Sequence, residues 1–383
     1  MTPTWMLDPD VTYLNHGSFG ATPIAVLEEQ NHWRLRLEEN PVLFFDEEYH
    51  PALDDARTRL VDFVGGSVDT TVFVNNATSG VNAVLASLSL GPGDEIVVTN
   101  HEYNACRNAA EVAAARVGAK VLEVPIPFPP PSQSMVLERI QMAVSARTRL
   151  VLIDHVTSPT ALVFPVADVV AALEPDIPVL VDGAHAPGML DLDIGALGAS
   201  FYVGNLHKWV CAPKGAGFLS VADRHAESIV PTVISHGWNM SAPDKTRIQD
   251  LFDWAGTDDP SARLSVPAAI DTMGNAHPDG WEGVRSANHT LAVEGKRIIV
   301  EALGIDPGPE EEEWLGSMAA VVIPGKPEEG QIIDELTPRL RHNHAIEVPV
   351  FSWGGRRLLR ISAQRYNRLD HFRRLVDALV AEL

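Results

Sequence analysis

Short runs of β-branched and other apolar residues alternate along this chain with stretches of helical period. Thr70-Thr-Val-Phe-Val74 reads as a strand, and 79–90 reads as a helix halted by Gly91-Pro-Gly-Asp94. A strand at 95–99, a helix at 104–117 and a strand at 120–124 follow. Further strand-like runs fall at 149–153, 178–181, 200–203 and 215–221. Strands separated by helices predict a mostly parallel sheet covered on both faces. Pro125-Ile-Pro-Phe-Pro-Pro-Pro131 predicts a stiff extended connector. Residues 238–259 are polar with little periodicity and read as a loop, and 260–273 return to helical character. The tail predicts a smaller α+β unit. It has a strand at 318–323, a helix at 328–340, paired strands at 345–351 and 357–362, and a closing helix at 369–383. The expected class is therefore α/β: a large domain with a central sheet flanked by helices, plus a smaller C-terminal domain.

Composition narrows the partners. The 383 residues are enough for one large and one smaller domain. A net charge of -22 gives a surface that repels nucleic acid and anionic membranes, so neither is expected as a partner. No apolar run approaches the roughly 18 residues of a membrane span. The first ten residues have neither a basic region nor a signal-peptide core, so a cytoplasmic location is the default expectation. Two cysteines, Cys106 and Cys211, form no disulfide framework and no metal-binding pattern, and read as reduced packing residues.

The candidate chemistry collects at strand ends, where α/β sheets bind ligands. Lys208 is one of six lysines, and it alone follows an apolar strand, in Phe201-Tyr-Val-Gly-Asn-Leu-His-Lys-Trp209. Apolar company lowers an amine's pKa and makes it a nucleophile toward an aldehyde. Lys214, in a turn, is the competitor. Asp182 ends the run Ile177-Pro-Val-Leu-Val181, where it either makes a turn with Gly183 or meets a buried cation. An imine-forming lysine and a strand-end acid are what pyridoxal phosphate requires. The lysine holds the aldehyde, and the acid keeps the pyridine nitrogen protonated so that the ring accepts electrons. Asn75-Asn-Ala-Thr-Ser-Gly80 opens a helix. It is either an ordinary N-cap or, through Thr78 and Ser79, a phosphate cradle, with His207 expected nearby. Tyr103, with His101 as the alternative, follows a strand and suits stacking on a ring. His185, Thr157 and Ser158 have reach for the ring's phenolic oxygen, or are helix-start and turn residues. Arg360 lies in an alternating strand and suits a substrate carboxylate. Asn15-His-Gly-Ser18, including His16, is a turn that closes over the site.

Taken together, these segments resemble the class V aminotransferase group of fold-type I pyridoxal-phosphate enzymes, nearest the isopenicillin N epimerase-like proteins. The likeness runs from Tyr13-Leu-Asn-His-Gly-Ser-Phe-Gly20 to Arg360-Ile-Ser-Ala-Gln-Arg-Tyr-Asn367. It includes His155-Val-Thr-Ser-Pro-Thr160, Asp182-Gly-Ala-His185 and Asn205-Leu-His-Lys-Trp209. The resemblance implies that Lys208 is the Schiff-base lysine, Asp182 the pyridinium partner and Tyr103 the stacking residue. Thr78, Ser79 and His207 take the phosphate, and Arg360 takes the substrate carboxylate. It also implies a homodimer in which Thr257, in Trp254-Ala-Gly-Thr-Asp258, reaches the neighbour's phosphate. The implied boundaries are 16–270 for the large domain, with 1–15 and 271–383 forming the small one.

Reaction at the α-carbon of an amino-acid substrate is the expectation, with epimerisation or racemisation first. β-Elimination of a sulfur group and transamination use the same groups, and a non-catalytic cofactor-binding module is the remaining alternative. A persulfide-forming desulfurase is disfavoured, because no cysteine lies beyond Cys211. Borohydride reduction of the cofactor-loaded protein followed by peptide mapping is expected to place the label on Lys208. A label on Lys214, or none, would contradict the assignment.

Overall fold

The computed structural model describes residues 4–308, 312–327 and 330–383. Its strands, in chain order, are β1 (Thr12–Tyr13), β2 (Thr71–Val74), β3 (Glu95–Thr99), β4 (Lys120–Val124), β5 (Thr148–Asp154), β6 (Val179–Gly183), β7 (Phe201–Asn205), β8 (Gly217–Val221), β9 (Met318–Ile323), β10 (Ile346–Glu347), β11 (Val350–Trp353) and β12 (Arg356–Ser362). Seven of them form one sheet in the order β2-β8-β7-β6-β5-β3-β4. The pairs from β7 to β4 are parallel, and β8 runs antiparallel to both of its neighbours. The expected mostly parallel sheet is present.

The pleat sorts the apolar side chains onto two faces. Val97, Val151, Ile153, Val179, Val181, Tyr202 and Phe218 join one core. Their chain neighbours Ile96, Val98, Leu150, Leu152, Leu180, Phe201, Val203 and Leu219 join the other. Because both faces are covered, β3, β6, β7 and β8 read as unbroken apolar runs.

The second unit is the antiparallel sheet β11-β12-β9, backed by helices Gly280–Leu303 and Leu369–Glu382. Its core takes in Leu14 from the N-terminal segment, and β1 pairs in parallel with β10.

Several expectations are corrected. The polar stretch 238–259 contains the helix Arg247–Phe252, started by a capping box between Thr246 and Gln249. The helix expected at 260–273 breaks at Ser265 into Ser261–Leu264 and Val266–Gly274. The helix expected at 328–340 is Leu336–His344; residues 328–329 lie outside the described residues. The run 345–351 divides between β10 and β11, which join different sheets.

Three long helices were absent from the pattern reading. Ile24–Glu39 fully buries only Val26 and Gln30, so it has almost no apolar stripe. Gly280–Leu303 buries Gly283, Asn288, Gly295 and Lys296 along with Val284, Ala292 and Ile299, so its apolar stripe is broken. Tyr49–Val64 has a regular stripe interrupted by Arg57, whose guanidinium donates to Asp253 at 2.6 Å and to the Thr71 carbonyl at 2.9 Å.

The N-terminal segment ties the two units together. Gly17 N donates to Ser362 Oγ (3.0 Å), and His16 Nε2 lies 2.9 Å from the Lys208 carbonyl oxygen. Gly20 packs so closely that a Cβ there would lie 2.5 Å from the His207 carbonyl oxygen and 2.7 Å from that of Lys208. Backbone cannot move aside as a side chain does. Gly20→Ala is therefore expected to destabilise the protein by about 1–3 kcal/mol, read as a lower midpoint in denaturant unfolding with an unchanged slope.

Candidate active site

A cavity of about 200 Å³ opens at the carboxyl ends of the parallel strands. β5 and β6 deliver Asp154 and Asp182 at the same height, and β7 ends on Asn205 two residues further along. Asp154 and Asp182 are register partners across the β5–β6 pair, so their side chains point the same way. The chain after β7 turns sharply through Leu206-His-Lys208, closed by the Cys211 N–H donating to the Lys208 carbonyl.

The cavity gathers Thr78, Tyr103, Ser158, Asp182, His185, His207 and Lys208 from the sequence-predicted set. Lys208 Nζ lies 3.0 Å from His185 Nε2. Burial, then the nearby Arg360 charge, lowers the Lys208 amine to about 7. Burial, reinforced by the Lys208 charge, keeps the His185 imidazole neutral, and its buried Nδ1 has no hydrogen-bond partner. His207 is pulled down to about 4 by burial and by Lys208, and its Nδ1 donates to the Ala216 carbonyl. Asp182 is 2% exposed; its Oδ1 accepts from Ala184 N (2.9 Å) and its Oδ2 from the Cys106 thiol (3.2 Å). Burial raises its pKa.

Other predicted residues stand differently. Ser79 does not line the cavity: its N–H and hydroxyl both bond Asn76 Oδ1, which makes Asn76 the helix cap. Thr157 serves its turn, bonded to Thr160 and Leu162. His101 is buried between Thr160 and the Ile126 carbonyl, away from the cavity, so Tyr103 is the aromatic at the site. His16 is fully buried against Tyr366 and the Lys208 carbonyl, and burial drives its imidazole down to about 3, so it braces the wall from behind. Asn15 sits 3.5 Å from Arg360 Nη2. Thr257 is exposed and outside the cavity.

Arg360, 1% exposed, stands just behind the cavity wall. Its Nη1 donates to the Ser158 carbonyl (2.6 Å) and its Nη2 to Ser18 Oγ (2.6 Å), while its buried Nε has no partner. Ser18 and Phe19 line the mouth. Cys106, read as packing, is bonded to Asp182. The pattern reading gave no role to Asn76, Asp154 and Asn205; the signal for the last two was the strand-end position already used for Asp182.

These residues fit pyridoxal phosphate. Among the described residues the buried Asp182 carboxylate accepts hydrogen bonds from an amide and a weak thiol and none from a cation, which suits it to a protonated ring nitrogen. His185 keeps an unpaired ring nitrogen, and Thr78 lies in the first turn of an 11-residue helix facing the cavity. The model of the family described as Aminotransferase class-V matches residues 13–327.

The chain belongs to that family. Its members are pyridoxal-phosphate enzymes, and so is this chain. It is 31% identical to the probable L-cysteine desulfhydrase, chloroplastic, of Arabidopsis thaliana, over 97% of this chain and 83% of the relative. It is 32% identical to isopenicillin N epimerase of Streptomyces clavuligerus, over 98% and 96%. The solved cystine C–S lyase C-DES, in complex with cysteine persulfide, superposes with a TM-score of 0.82 over 97% of each chain at 20% identity, a likeness of fold. Among the described residues, no helix is long and apolar enough to cross a membrane.

The lowered Lys208 amine carries a pH signature. Below about 7 it is an unreactive ammonium, and above it a free nucleophile. Trapping of Lys208 by an aldehyde probe and borohydride in the cofactor-stripped protein is expected to rise through pH 7. Mass mapping resolves Lys208 from the other lysines.

Proposed function

We propose that this class V enzyme removes the α-proton of a small amino acid, with Lys208 as the base, and that loss of a β-substituent such as sulfur follows. The observation that carries the reading is the single amine in the cavity. Lys208 is half neutral near pH 7 and sits beside a neutral His185, in the same cavity as Asp182. Elimination needs one base, and the site supplies one.

Pyridoxal phosphate, when bound, supplies an electrophilic carbon to the Lys208 amine and an electron sink for the α-carbanion. The chain does the rest. Thr78 and His207 would hold the phosphate end, with Asn76 and Ser79 fixing the helix start. Tyr103 covers the ring face, and Asp182 holds the proton on the ring nitrogen. His185 Nδ1 and Ser158 serve the phenolic oxygen. Arg360 turns its Nη2 from Ser18 and Asn15 to the substrate carboxylate, a charge-assisted exchange favoured by its burial. Thus anchored, the substrate presents its α-hydrogen to Lys208 Nζ, and Phe19 and Ser18 limit water at the mouth.

Epimerisation is the second reading, and Tyr103 is the observation that favours it. It lines the cavity half-exposed, and burial, then Cys106 and Asp182, raise its pKa, so its phenol is a proton donor at neutral pH. An epimerase needs such a group opposite Lys208. The relatives named for cysteine desulfhydration and for isopenicillin N epimerisation are about equally similar to this chain. We further infer a cytoplasmic homodimer in which the exposed Thr257 reaches the partner's phosphate site, and the domain division given above.

Proton NMR of L-cysteine with the enzyme in deuterated water is expected to show release of pyruvate. Deuterium at the α-carbon with inversion would select epimerisation, and a ketoacid that retains the sulfur would select transamination. Arg360→Ala should raise KM roughly 10- to 100-fold, from about 1.5–3 kcal/mol of charge-assisted bonding. Asp182→Ala should keep the cofactor and lose nearly all turnover.

A further inference from the structure

His16 in the N-terminal turn, and Gln364 and Tyr366 just after β12, have no task in the chemistry of the cavity, yet they meet behind Lys208. His16 is fully buried, and its Nε2 lies 2.9 Å from the Lys208 carbonyl oxygen. Its Nδ1 lies 2.8 Å from the Tyr366 hydroxyl and accepts from Ala21 N at 3.4 Å.

These contacts choose the tautomer. A carbonyl oxygen only accepts, and a backbone amide only donates. The ring hydrogen therefore sits on Nε2 and points at Lys208, while Nδ1 is bare and takes the Ala21 amide and the Tyr366 hydroxyl. The opposite tautomer would gain a bond from Gln364 Nε2, which lies 3.3 Å from His16 Nε2. It would lose the shorter 2.9 Å bond, set two acceptors face to face, and turn two N–H groups on each other at Ala21. An imidazolium fails at Nδ1 for the same reason. Gln364 is oriented independently of His16. Its Oε1 accepts from Arg365 N (2.8 Å) and from Asn288 Nδ2 (2.9 Å), and its amide nitrogen donates to Cys211 Sγ (3.6 Å).

The Lys208 carbonyl is thus bonded twice, by His16 and by the Cys211 N–H at 3.0 Å. The second bond belongs to a strained turn, since Cys211 holds a φ of 63°, which a residue with a side chain adopts at a cost. Without the His16 bond, that turn is freer to relax and to rotate the Lys208 peptide.

We propose that His16, as the neutral Nε2–H tautomer, is a positioning residue that fixes the Lys208 peptide and so aims Nζ into the cavity, and that Gln364 and Asn288 tie this brace to the smaller unit. This rests on the assignment of Lys208 as the imine-forming base. Burial, opposed by the bond to Lys208 and aided by the Lys214 charge, drives the His16 imidazole down to about 3. Tyr366 and Cys211, the other titratable groups in contact with it, are pushed up by burial and stay neutral as well.

The first measurement is long-range proton–nitrogen NMR of the full-length, cofactor-loaded protein carrying isotopically labelled histidine. Wild type is expected to show one histidine, absent from H16Q, with its hydrogen on Nε2, none on Nδ1, and no titration through neutral pH. The second is turnover together with the bound-cofactor absorbance. His16→Phe, which fills the space without the N–H, should lower kcat roughly 100-fold with KM changed less than about 3-fold, and should displace the pH midpoint of that absorbance. H16Q, whose amide N–H reaches the place of Nε2, should restore most of the loss. A His16 ring that is bare at Nε2 or charged at neutral pH overturns the proposal. So does a His16→Phe enzyme with the kcat and spectrum of wild type, or an equal loss in both variants. If neither variant folds, Tyr366→Phe identifies the His16 signal by its shift, and the tautomer decides. A His16 signal as expected, with borohydride label found elsewhere than on Lys208, would sink the Lys208 assignment and leave the tautomer standing.

Discussion

Burial of an amine beside a carboxylate at the carboxyl edge of the sheet is the constraint on which this structure depends. Lys208 and Asp182 are held within one small cavity with little water to solvate either. Desolvation pulls the amine toward neutrality and pushes the acid toward protonation. Both shifts are unfavourable to a resting protein and useful to one that binds an aldehyde and a ring nitrogen. The core of two apolar layers, one on each face of the sheet, holds these groups where solvent would otherwise relax them.

The scaffolding around the pair is backbone-tight. Gly20 lets the N-terminal segment lie directly on the carbonyls of His207 and Lys208. Gly183, next to Asp182, leaves room for the Tyr202 ring, whose hydroxyl bonds His155 Nδ1 at 2.8 Å. The same N-terminal segment meets Arg360 through Asn15 and Ser18, and Leu14 enters the core of the smaller sheet. Lys208 and Arg360 are thus braced by one short stretch of chain. Movement of the smaller sheet would be felt at both.

Family membership and reaction rest on different physics. The family follows from a fold and a set of strand-end residues that any enzyme of this kind requires. The reaction is decided by what stands opposite Lys208 and by how large a substrate the mouth admits. Relatives named for elimination and for epimerisation share the same frame with this chain, which agrees with a common first step, removal of the α-proton, followed by different fates.

Much of this was legible in the sequence. Strands β3, β4 and β9 announce themselves as apolar runs with turn residues on either side, and Lys208, Asp182, Tyr103 and Thr78 are marked by their position after such runs. Helix Gly280–Leu303 was not legible, because glycine, asparagine and a lysine interrupt its buried face between Val284, Ala292 and Ile299. The linear order of residues determined which side chains stand at strand ends, since that needs only local pattern. Only the tertiary structure decided that Asp154 shares the cavity with Asp182, that His101 turns away while Tyr103 faces in, and that Arg360 stands behind Ser18. Those facts arise from the pairing of strands and the crossing of segments far apart in the chain, and periodicity along one segment carries no record of them.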